Sequence, residues 1–221
     1  MTNYAKWIEE KIKIAQRGKL SGKPRGNARV PPGQKVVKNF PVLDLGIRPE
    51  VTISNWQVRI FGLVEHELKL DWQTFKTMPQ VNSRSDFHCV THWTQFDLEW
   101  EGVRVRDVLL QARPLEEALF VTLHSYDDYT TNLPLEALLA DDVIIAHSVL
   151  GQPLTAEHGG PVRLVVPSRY GWKSAKWLKA IELHEEDRPG FWEQRGYHNN
   201  ADPRTEERYG DHSSIAEEES L

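Results

Sequence analysis

Short stretches in which apolar and polar side chains alternate recur along the sequence, and they confine each regular element to a few residues. In WQVRIFGLVEHELKLDW, Val58, Ile60 and Val64 alternate with polar residues, which predicts a strand, a turn and a second strand. The same pattern predicts strands in LFVTLHS, PVRLVVP and KWLKAIEL, and a hairpin in DVIIAHSVLGQPL that turns near Gly151.

Helical spacing is confined to a few short segments. VRVRDVLLQA has apolar residues at helical spacing, LPLEALL carries Pro134 near its first turn, and Asp71 can cap a short helix that runs to Met78. A further helix, stopped by Gly18, is predicted in NYAKWIEEKIKIAQRG. Strands and helices do not alternate regularly, and there is no internal repeat. The sequence therefore predicts an α+β fold of β-rich mixed sheets with short helices.

The charge distribution divides the chain into a basic start and an acidic remainder. Residues 1–38 carry ten Lys and Arg against two Glu, a net charge of +8. Because the whole chain has a net charge of −5, the other residues carry −13. We predict a basic arm over 1–34, one domain over 35–209 and an acidic mobile tail over 210–221. An arm that packs on its own acidic body is favoured over a nucleic-acid contact, because no nucleic-acid motif accompanies it.

Composition excludes several classes of protein. One cysteine in 221 residues rules out an intrachain disulfide and hence a disulfide-stapled secreted design. No apolar run approaches the roughly 18 residues of a membrane span. The N-terminal residues lack a long apolar stretch behind a basic start, so no secretory signal is predicted. A cytoplasmic protein without a membrane span is the expectation.

The single cysteine, Cys89, lies in the polar segment SDFHCVTHWT, and the segment leaves three interpretations open. The thiol is a small buried side chain, a nucleophile with His88 or His92 as its base, or a metal ligand. A structural zinc site is disfavoured because no second Cys/His pair has zinc spacing. A soft thiolate can instead be the single protein ligand to a metal whose other ligands come from an organic cofactor.

A second cluster, EHGGPVRLVVPSRYGWKSAKWLKAIEL, combines glycines, cations and aromatic rings. Arg163, Arg169, Lys173 and Lys176 suit an anionic phosphate, and the interspersed aromatic residues suit a flat heterocycle. By composition alone, the segment is equally compatible with a basic surface loop that follows a core strand.

Four segments in this order resemble the sulfite-oxidase-like molybdopterin-dependent oxidoreductases, and the likeness runs from about residue 30 to about residue 209. They are KNFPVLD, DFHCV with the later WEGV, the segment from GPVRLVVP to KW, and DRPGFWEQRGYHNNADP. The details are most similar to the small, single-domain cytoplasmic branch of that family. The resemblance implies a β-rich fold around a molybdopterin, the molybdenum cofactor.

The resemblance also implies roles for individual residues. Cys89 matches the protein ligand to molybdenum, and Tyr197 matches the tyrosine near the open face of the metal; Arg169 is a further candidate for contacting a substrate oxygen. The residues that match cofactor-binding positions are Asn39, Ser125, His158, Arg163, Ser174, Ala175 and Lys176.

The implied activity is oxygen-atom transfer to or from a small sulfur-containing molecule, sulfite-like or sulfoxide-like, or a related substrate. The chain has no haem-binding C-x-x-C-H motif, so a separate electron-transfer partner is expected. Two alternatives from other classes remain: a molybdopterin-binding or interaction module without turnover, and a cysteine-dependent transferase or hydrolase.

Overall fold

The computed structural model describes residues 29–43 and 48–210, and these form two β-sheets and three short α-helices. The first sheet contains β1 (Lys35–Val37), β4 (Val81–Cys89), β5 (Trp93–Arg104), β8 (Ile144–Val149), β9 (Gln152–Pro153) and β10 (Arg163–Val165). The second contains β2 (Gln57–Gly62), β3 (Leu68–Asp71), β6 (Phe120–Ser125), β7 (Thr130–Pro134) and β11 (Leu178–His184).

Both sheets mix parallel and antiparallel pairs, which confirms the predicted fold class. In the first sheet the order is β1-β5-β8-β10, with β4 also paired to β5 and β9 to β8. Strand β1 runs parallel to β5, whereas β4 and β8 run antiparallel to it. In the second sheet the order is β3-β2-β11-β6-β7, and β11 is parallel to β2 but antiparallel to β6.

The helices occur where the sequence predicts them in the described part of the chain. They are α1 (Trp72–Thr77), α2 (Val105–Ala112) and α3 (Leu135–Leu138), and single 3-10 turns follow later in the chain at Ala156–His158, Gly171–Lys173 and Glu193–Arg195. The Asp71 side chain caps α1 by accepting from the Thr74 backbone N–H at 2.8 Å. The helix predicted near the N-terminus lies outside the described residues.

One strand ends earlier than its alternating pattern predicts. Strand β2 stops at Gly62, and Val64 instead forms an isolated bridge with Pro114. Gly62 has a φ of 93°, and a Cβ there would lie 2.2 Å from the Leu183 carbonyl oxygen. The close approach of β11 therefore requires glycine, and the positive φ ends the regular strand.

Two hydrophobic clusters lie on opposite faces of β10. Leu164 packs in the larger cluster, whose members come from both sheets and α2. Val165 belongs to a smaller cluster with Phe87 and Trp100 from β4 and β5. Because successive strand residues point to opposite faces, Arg163 shares the face of Val165. That face of the first sheet carries the candidate site.

The described end of the predicted N-terminal arm lies against the first sheet. The Arg29 guanidinium pairs with the Asp86 carboxylate at 2.7 Å and also with Asp97. The rest of the arm and all but the first residue of the predicted tail lie outside the described residues, so the boundaries at 34 and 209 stay predictions. Within 29–43 and 48–210, no helix has the length and apolar character needed to cross a membrane.

Candidate active site

A cavity of about 300 Å³ brings together residues that are far apart in the sequence. Eight of the ten predicted site residues line it: Cys89, Ser125, His158, Arg163, Ser174, Ala175, Lys176 and Tyr197. Strands β4, β6 and β10, the loop after β10 and the segment after β11 each contribute to this set. The two sequence clusters, around Cys89 and after residue 157, therefore form one site.

Cys89 sits at the tip of the β4–β5 hairpin. It pairs with Trp93 across the hairpin, and His92 takes a φ of 68° in the intervening turn. The Cys89 Sγ lies 3.1 Å from Thr91 Oγ1, and burial raises the pKa of the thiol. The hairpin thus presents the sulfur at the wall of the cavity.

Neither neighbouring histidine is arranged as a base for this thiol. His88 Nδ1 lies 2.9 Å from Thr94 Oγ1, and burial lowers the pKa of His88 to about 4. His92 Nδ1 lies 3.1 Å from the Gly33 carbonyl oxygen. A nucleophilic cysteine needs a base within hydrogen-bond reach of its sulfur, so this geometry disfavours a cysteine-dependent transferase or hydrolase.

Two residues from distant segments support the turn that carries Cys89. Gln34 Nε2 donates to the Cys89 carbonyl oxygen at 3.0 Å. The buried Arg208 donates to the Val90 carbonyl oxygen and lies 4.9 Å from the centre of the Tyr170 ring. Sequence analysis missed both, because nothing local marks a residue 55 or 118 positions away as a partner.

Arg163 is a buried cation held by backbone carbonyl groups. Its guanidinium donates to the carbonyl oxygens of His158 at 2.9 Å and Ser174 at 3.0 Å. The guanidinium carbon also lies 5.4 Å from the centre of the Phe87 ring. Burial lowers the pKa of Arg163 to about 10. No carboxylate pairs with it among the described residues, so its charge can complement an anion in the cavity.

The neighbouring loop packs the Lys176 stem against glycine. Gly159 has a φ of 95°, and a Cβ there would lie 2.8 Å from the Lys176 side chain. The Lys176 ammonium donates to the carbonyl oxygens of Leu43 and Glu157, at 2.6 and 2.5 Å. The His158 ring stacks on Phe40 with centroids 4.7 Å apart. This end of the cavity therefore combines a cation with a flat aromatic surface.

The side chains of Trp172, Trp192 and Tyr197 form one wall of the cavity that also contains Cys89, here called the aromatic wall. The Tyr197 ring lies 4.9 Å from Trp192 and 5.0 Å from Trp172, the latter edge-on at 90°. Trp172 stacks on Tyr170 at 5.4 Å. Burial raises the pKa of Tyr197. Sequence analysis assigned no role of its own to Trp192, although its position five residues before Tyr197 is part of the family resemblance that marked the tyrosine.

Two predicted site residues do not line the cavity. Asn39 is exposed, whereas the next residue, Phe40, faces the cavity. Arg169 donates to the Ser168 carbonyl oxygen at 3.2 Å, and its Nε is buried without a hydrogen-bond partner among the described residues. Lys173, suggested as a phosphate contact by its basic segment, instead pairs with Glu193 at 2.6 Å. The roles of Asn39 and Arg169 stay predictions.

The family model described as "Oxidoreductase molybdopterin binding domain" matches residues 45–192. The chain belongs to this family: it is a molybdopterin-dependent oxidoreductase with a sulfite-oxidase-like fold. The predictions of family, fold class, enzyme class and molybdopterin as cofactor are confirmed.

Several relatives place the chain within that family. It is 44% identical over 184 residues to the "uncharacterized oxidoreductase YuiH" of Bacillus subtilis, covering 83% of this chain and 93% of YuiH. It is 27% identical over 172 residues to the protein-methionine-sulfoxide reductase catalytic subunit MsrP of Campylobacter jejuni, covering 68% of this chain and 58% of MsrP. The chain thus spans nearly all of YuiH but little more than half of MsrP.

A solved structure shares the fold. The sulfane dehydrogenase SoxCD of Paracoccus pantotrophus superposes with a TM-score of 0.58 at 24% identity, over 62% of this chain and 40% of SoxCD.

The residues of the cavity fit molybdopterin. Ser125 Oγ is buried and lacks a hydrogen-bond partner among the described residues, although the side chain lines the cavity. A buried hydroxyl without a partner is costly unless a ligand satisfies it. Together with the unpaired charge of Arg163 and the thiol of Cys89, it supplies polar contacts for an anionic, sulfur-bearing cofactor.

Proposed function

We propose that this enzyme transfers an oxygen atom to or from a small sulfur-containing substrate, sulfite-like or sulfoxide-like, or a related molecule. The observation that carries the proposal is the single cavity whose wall includes the Cys89 thiol, the Tyr197 ring and the buried Arg163. The relative MsrP is named for reducing methionine sulfoxide in proteins, which supports a sulfur-centred substrate.

In this proposal Cys89 is the single protein ligand to molybdenum. The described residues contain no group of three or more His, Cys, Asp or Glu side chains that could hold a metal ion. A thiolate is a soft ligand suited to a metal whose remaining ligands an organic cofactor provides. Molybdopterin, when bound, supplies the two-electron redox chemistry of the reaction.

The remaining polar residues of the cavity would hold the cofactor and the substrate. Arg163 and Lys176 would neutralise the phosphate of the cofactor. The Ser125 hydroxyl, which has no hydrogen-bond partner among the described residues, would form a hydrogen bond with the cofactor. His158, Ser174, Ala175 and the predicted Asn39 would complete the contacts. Tyr197 would donate a hydrogen bond to the substrate oxygen, with Arg169 as a further candidate.

The reaction also requires a source or acceptor of electrons. We propose a separate electron-transfer partner, because the sequence has no haem-binding C-x-x-C-H motif. The substrate is proposed to be a small molecule that enters the cavity. A cytoplasmic location stays a prediction from the sequence.

The proposal is tested with protein made in a host that synthesises the molybdenum cofactor. We expect about one molybdenum per chain, fluorescence of the oxidised pterin, and turnover of sulfite or methionine sulfoxide with ferricyanide or reduced viologen. Stoichiometric zinc without pterin would refute the ligand assignment. Bound cofactor without turnover of any substrate would instead favour a binding module.

A matched pair of variants tests Cys89 itself. Cys89→Ser should abolish turnover and lower molybdenum content while leaving a folded protein, because a neutral hydroxyl is a poor substitute for a soft thiolate. Ser83→Ala, on the same strand but outside the cavity, should keep both. Wild-type rates in Cys89→Ser would show that another ligand holds the metal.

A further inference from the structure

A buried carboxylate lies behind the aromatic wall and does not line the cavity. The Glu193 side chain is 2% exposed, and one of its oxygens, Oε1, has three donors. They are Lys173 Nζ at 2.6 Å, Thr131 Oγ1 at 2.8 Å and Trp172 Nε1 at 2.9 Å. The other oxygen, Oε2, is buried without a partner among the described residues. All the hydrogen bonds thus converge on one atom.

The three donors come from two parts of the fold, and Glu193 belongs to a third. Thr131 lies on β7, Trp172 and Lys173 lie in the turn after β10, and Glu193 belongs to the segment after β11. Lys173 is fully buried and also donates to the Asn132 carbonyl oxygen at 2.8 Å. The Tyr129 hydroxyl adds a bond to the Trp172 carbonyl oxygen at 2.7 Å. The carboxylate therefore ties three segments together at one point.

Of the three donors to the Glu193 carboxylate, only Trp172 lines the cavity. An indole ring has a single N–H, so its one hydrogen bond determines how the ring is turned. A bond to a charged acceptor is shorter and stronger than one to a neutral group. With Trp172 held in this way, its ring stands edge-on to Tyr197 at 5.0 Å.

We propose that Glu193 is a positioning residue. By accepting a hydrogen bond from the Trp172 indole it holds the Trp172 ring beside Tyr197, and so determines how large a substrate substituent the cavity admits. The substrate part rests on the proposed function. A buried ion pair adds little stability over apolar residues of the same volume. The consequence of the pair is therefore expected in the shape of the wall as well as in stability.

Variants that differ only in the acceptor test the proposal. Lys173→Met/Glu193→Gln removes both charges but keeps an oxygen that can accept from Trp172. Lys173→Met/Glu193→Met removes the charges and the acceptor, and Trp172→Phe removes the donor but keeps a ring. Thr131→Val is the control, because it removes another donor to the same oxygen without touching the wall.

The first readout is the ratio of kcat/KM for methyl phenyl sulfoxide to that for dimethyl sulfoxide, with reduced viologen as donor. The ratio does not depend on the fraction of active protein. We expect Trp172→Phe and the Met/Met variant to change it about fivefold to tenfold in the same direction, the range of a modest change in pocket shape. Thr131→Val and the Met/Gln variant should keep the wild-type ratio. An unchanged ratio in Trp172→Phe and the Met/Met variant would overturn the proposal.

The second readout does not require turnover. A tryptophan held in one orientation contributes to near-ultraviolet circular dichroism, and a mobile one contributes little. The signal lost in Trp172→Phe should also be lost in the Met/Met variant and kept in the Met/Gln variant and in Thr131→Val. If the wild-type enzyme turned over neither a sulfoxide nor sulfite, the proposed function would fail while this signal still decided the role of Glu193. A full wild-type signal in the Met/Met variant would show that packing alone orients Trp172.

Discussion

Arg163 and Lys173 are two buried cations ten residues apart in one basic segment, and they have opposite surroundings. Lys173 is paired with Glu193 at 2.6 Å, and its pKa is lowered by burial while Glu193 opposes that change. Arg163 contacts backbone carbonyl groups and aromatic rings, with no carboxylate paired to it among the described residues, and burial alone lowers its pKa to about 10.

In our proposal, the difference separates a structural charge, that of Lys173, from a ligand-binding charge, that of Arg163. The charge of Lys173 is compensated within the chain, so the pair contributes to the folded state with or without cofactor. The charge of Arg163 is kept at neutral pH although burial disfavours it, which lowers the stability of the free protein. In our proposal the anion of the cofactor supplies the missing compensation.

The largest expected effect comes from breaking the compensated pair. Lys173→Gln leaves the Glu193 carboxylate buried without its cation, so we expect the free energy of unfolding to fall by about 3–5 kcal/mol. Urea unfolding of the cofactor-free protein measures it.

A double variant is the control for this loss. Lys173→Met/Glu193→Gln should recover most of the stability, because neither buried charge remains. If Lys173→Gln alone were as stable as wild type, the pair would not be the structural element that the comparison describes.

The equivalent change at Arg163 should act on the cofactor instead. Arg163→Gln removes the uncompensated charge but keeps an amide that can donate to one of the carbonyl groups. We expect the affinity for molybdopterin to fall about 10- to 100-fold, since charge-assisted hydrogen bonds contribute about 1.5–3 kcal/mol. In the cofactor-free protein, removal of the disfavoured buried charge opposes the loss of hydrogen bonds to the carbonyl groups, so we expect stability to change less than in Lys173→Gln.

Pterin retained after dialysis and urea unfolding of the cofactor-free protein measure these two quantities separately. Full retention in Arg163→Gln, together with a large loss of stability, would make Arg163 a structural residue like Lys173. The two cations would then no longer be distinguished by function.

Tyr197 tests whether the segment anchored by Glu193 also takes part in the reaction. Tyr197→Phe should keep the fold and the metal but lower kcat/KM about tenfold, because one neutral hydrogen bond to the substrate oxygen contributes about 0.5–1.5 kcal/mol. Steady-state kinetics at matched molybdenum content measure it. Tyr126→Phe, which removes a hydroxyl outside the cavity, should keep wild-type kinetics. Equal rates in both variants would leave Tyr197 with a packing role only.

The smallest effect concerns His147, whose buried ring packs against Trp72 and Phe75. Burial, and next the Lys76 ammonium 2.8 Å away, lower the pKa of His147. Above the unfolded-state pKa of about 6.5, His147 is neutral in both the folded and the unfolded protein. Below that pH only the unfolded chain gains the proton, so the free energy of unfolding decreases as the pH is lowered. We expect His147→Gln to lose less stability than wild type between pH 7 and pH 5. Urea midpoints at the two pH values test this, and parallel losses in both proteins would contradict it.

Most of the local structure could be predicted from the sequence. Alternation of apolar and polar residues is imposed by the two faces of a sheet, so β2, β6, β10 and β11 were visible as strands. The lone cysteine and the basic segment after residue 157 marked both halves of the cavity. The end of β2 at Gly62 was missed, because it results from the close approach of β11.

The sequence by itself determined the elements, the family resemblance and most of the residues at the cavity, because periodicity and short motifs are local properties. The composition of the basic segment could not distinguish Arg163 from Lys173, although the family resemblance assigned a cofactor-binding role to Arg163 alone. Only the tertiary structure placed Glu193, twenty residues after Lys173, against one of them and backbone carbonyl groups around the other. Burial and pairing of a charge depend on which distant segments pack around it, and that information arises only when the chain has folded.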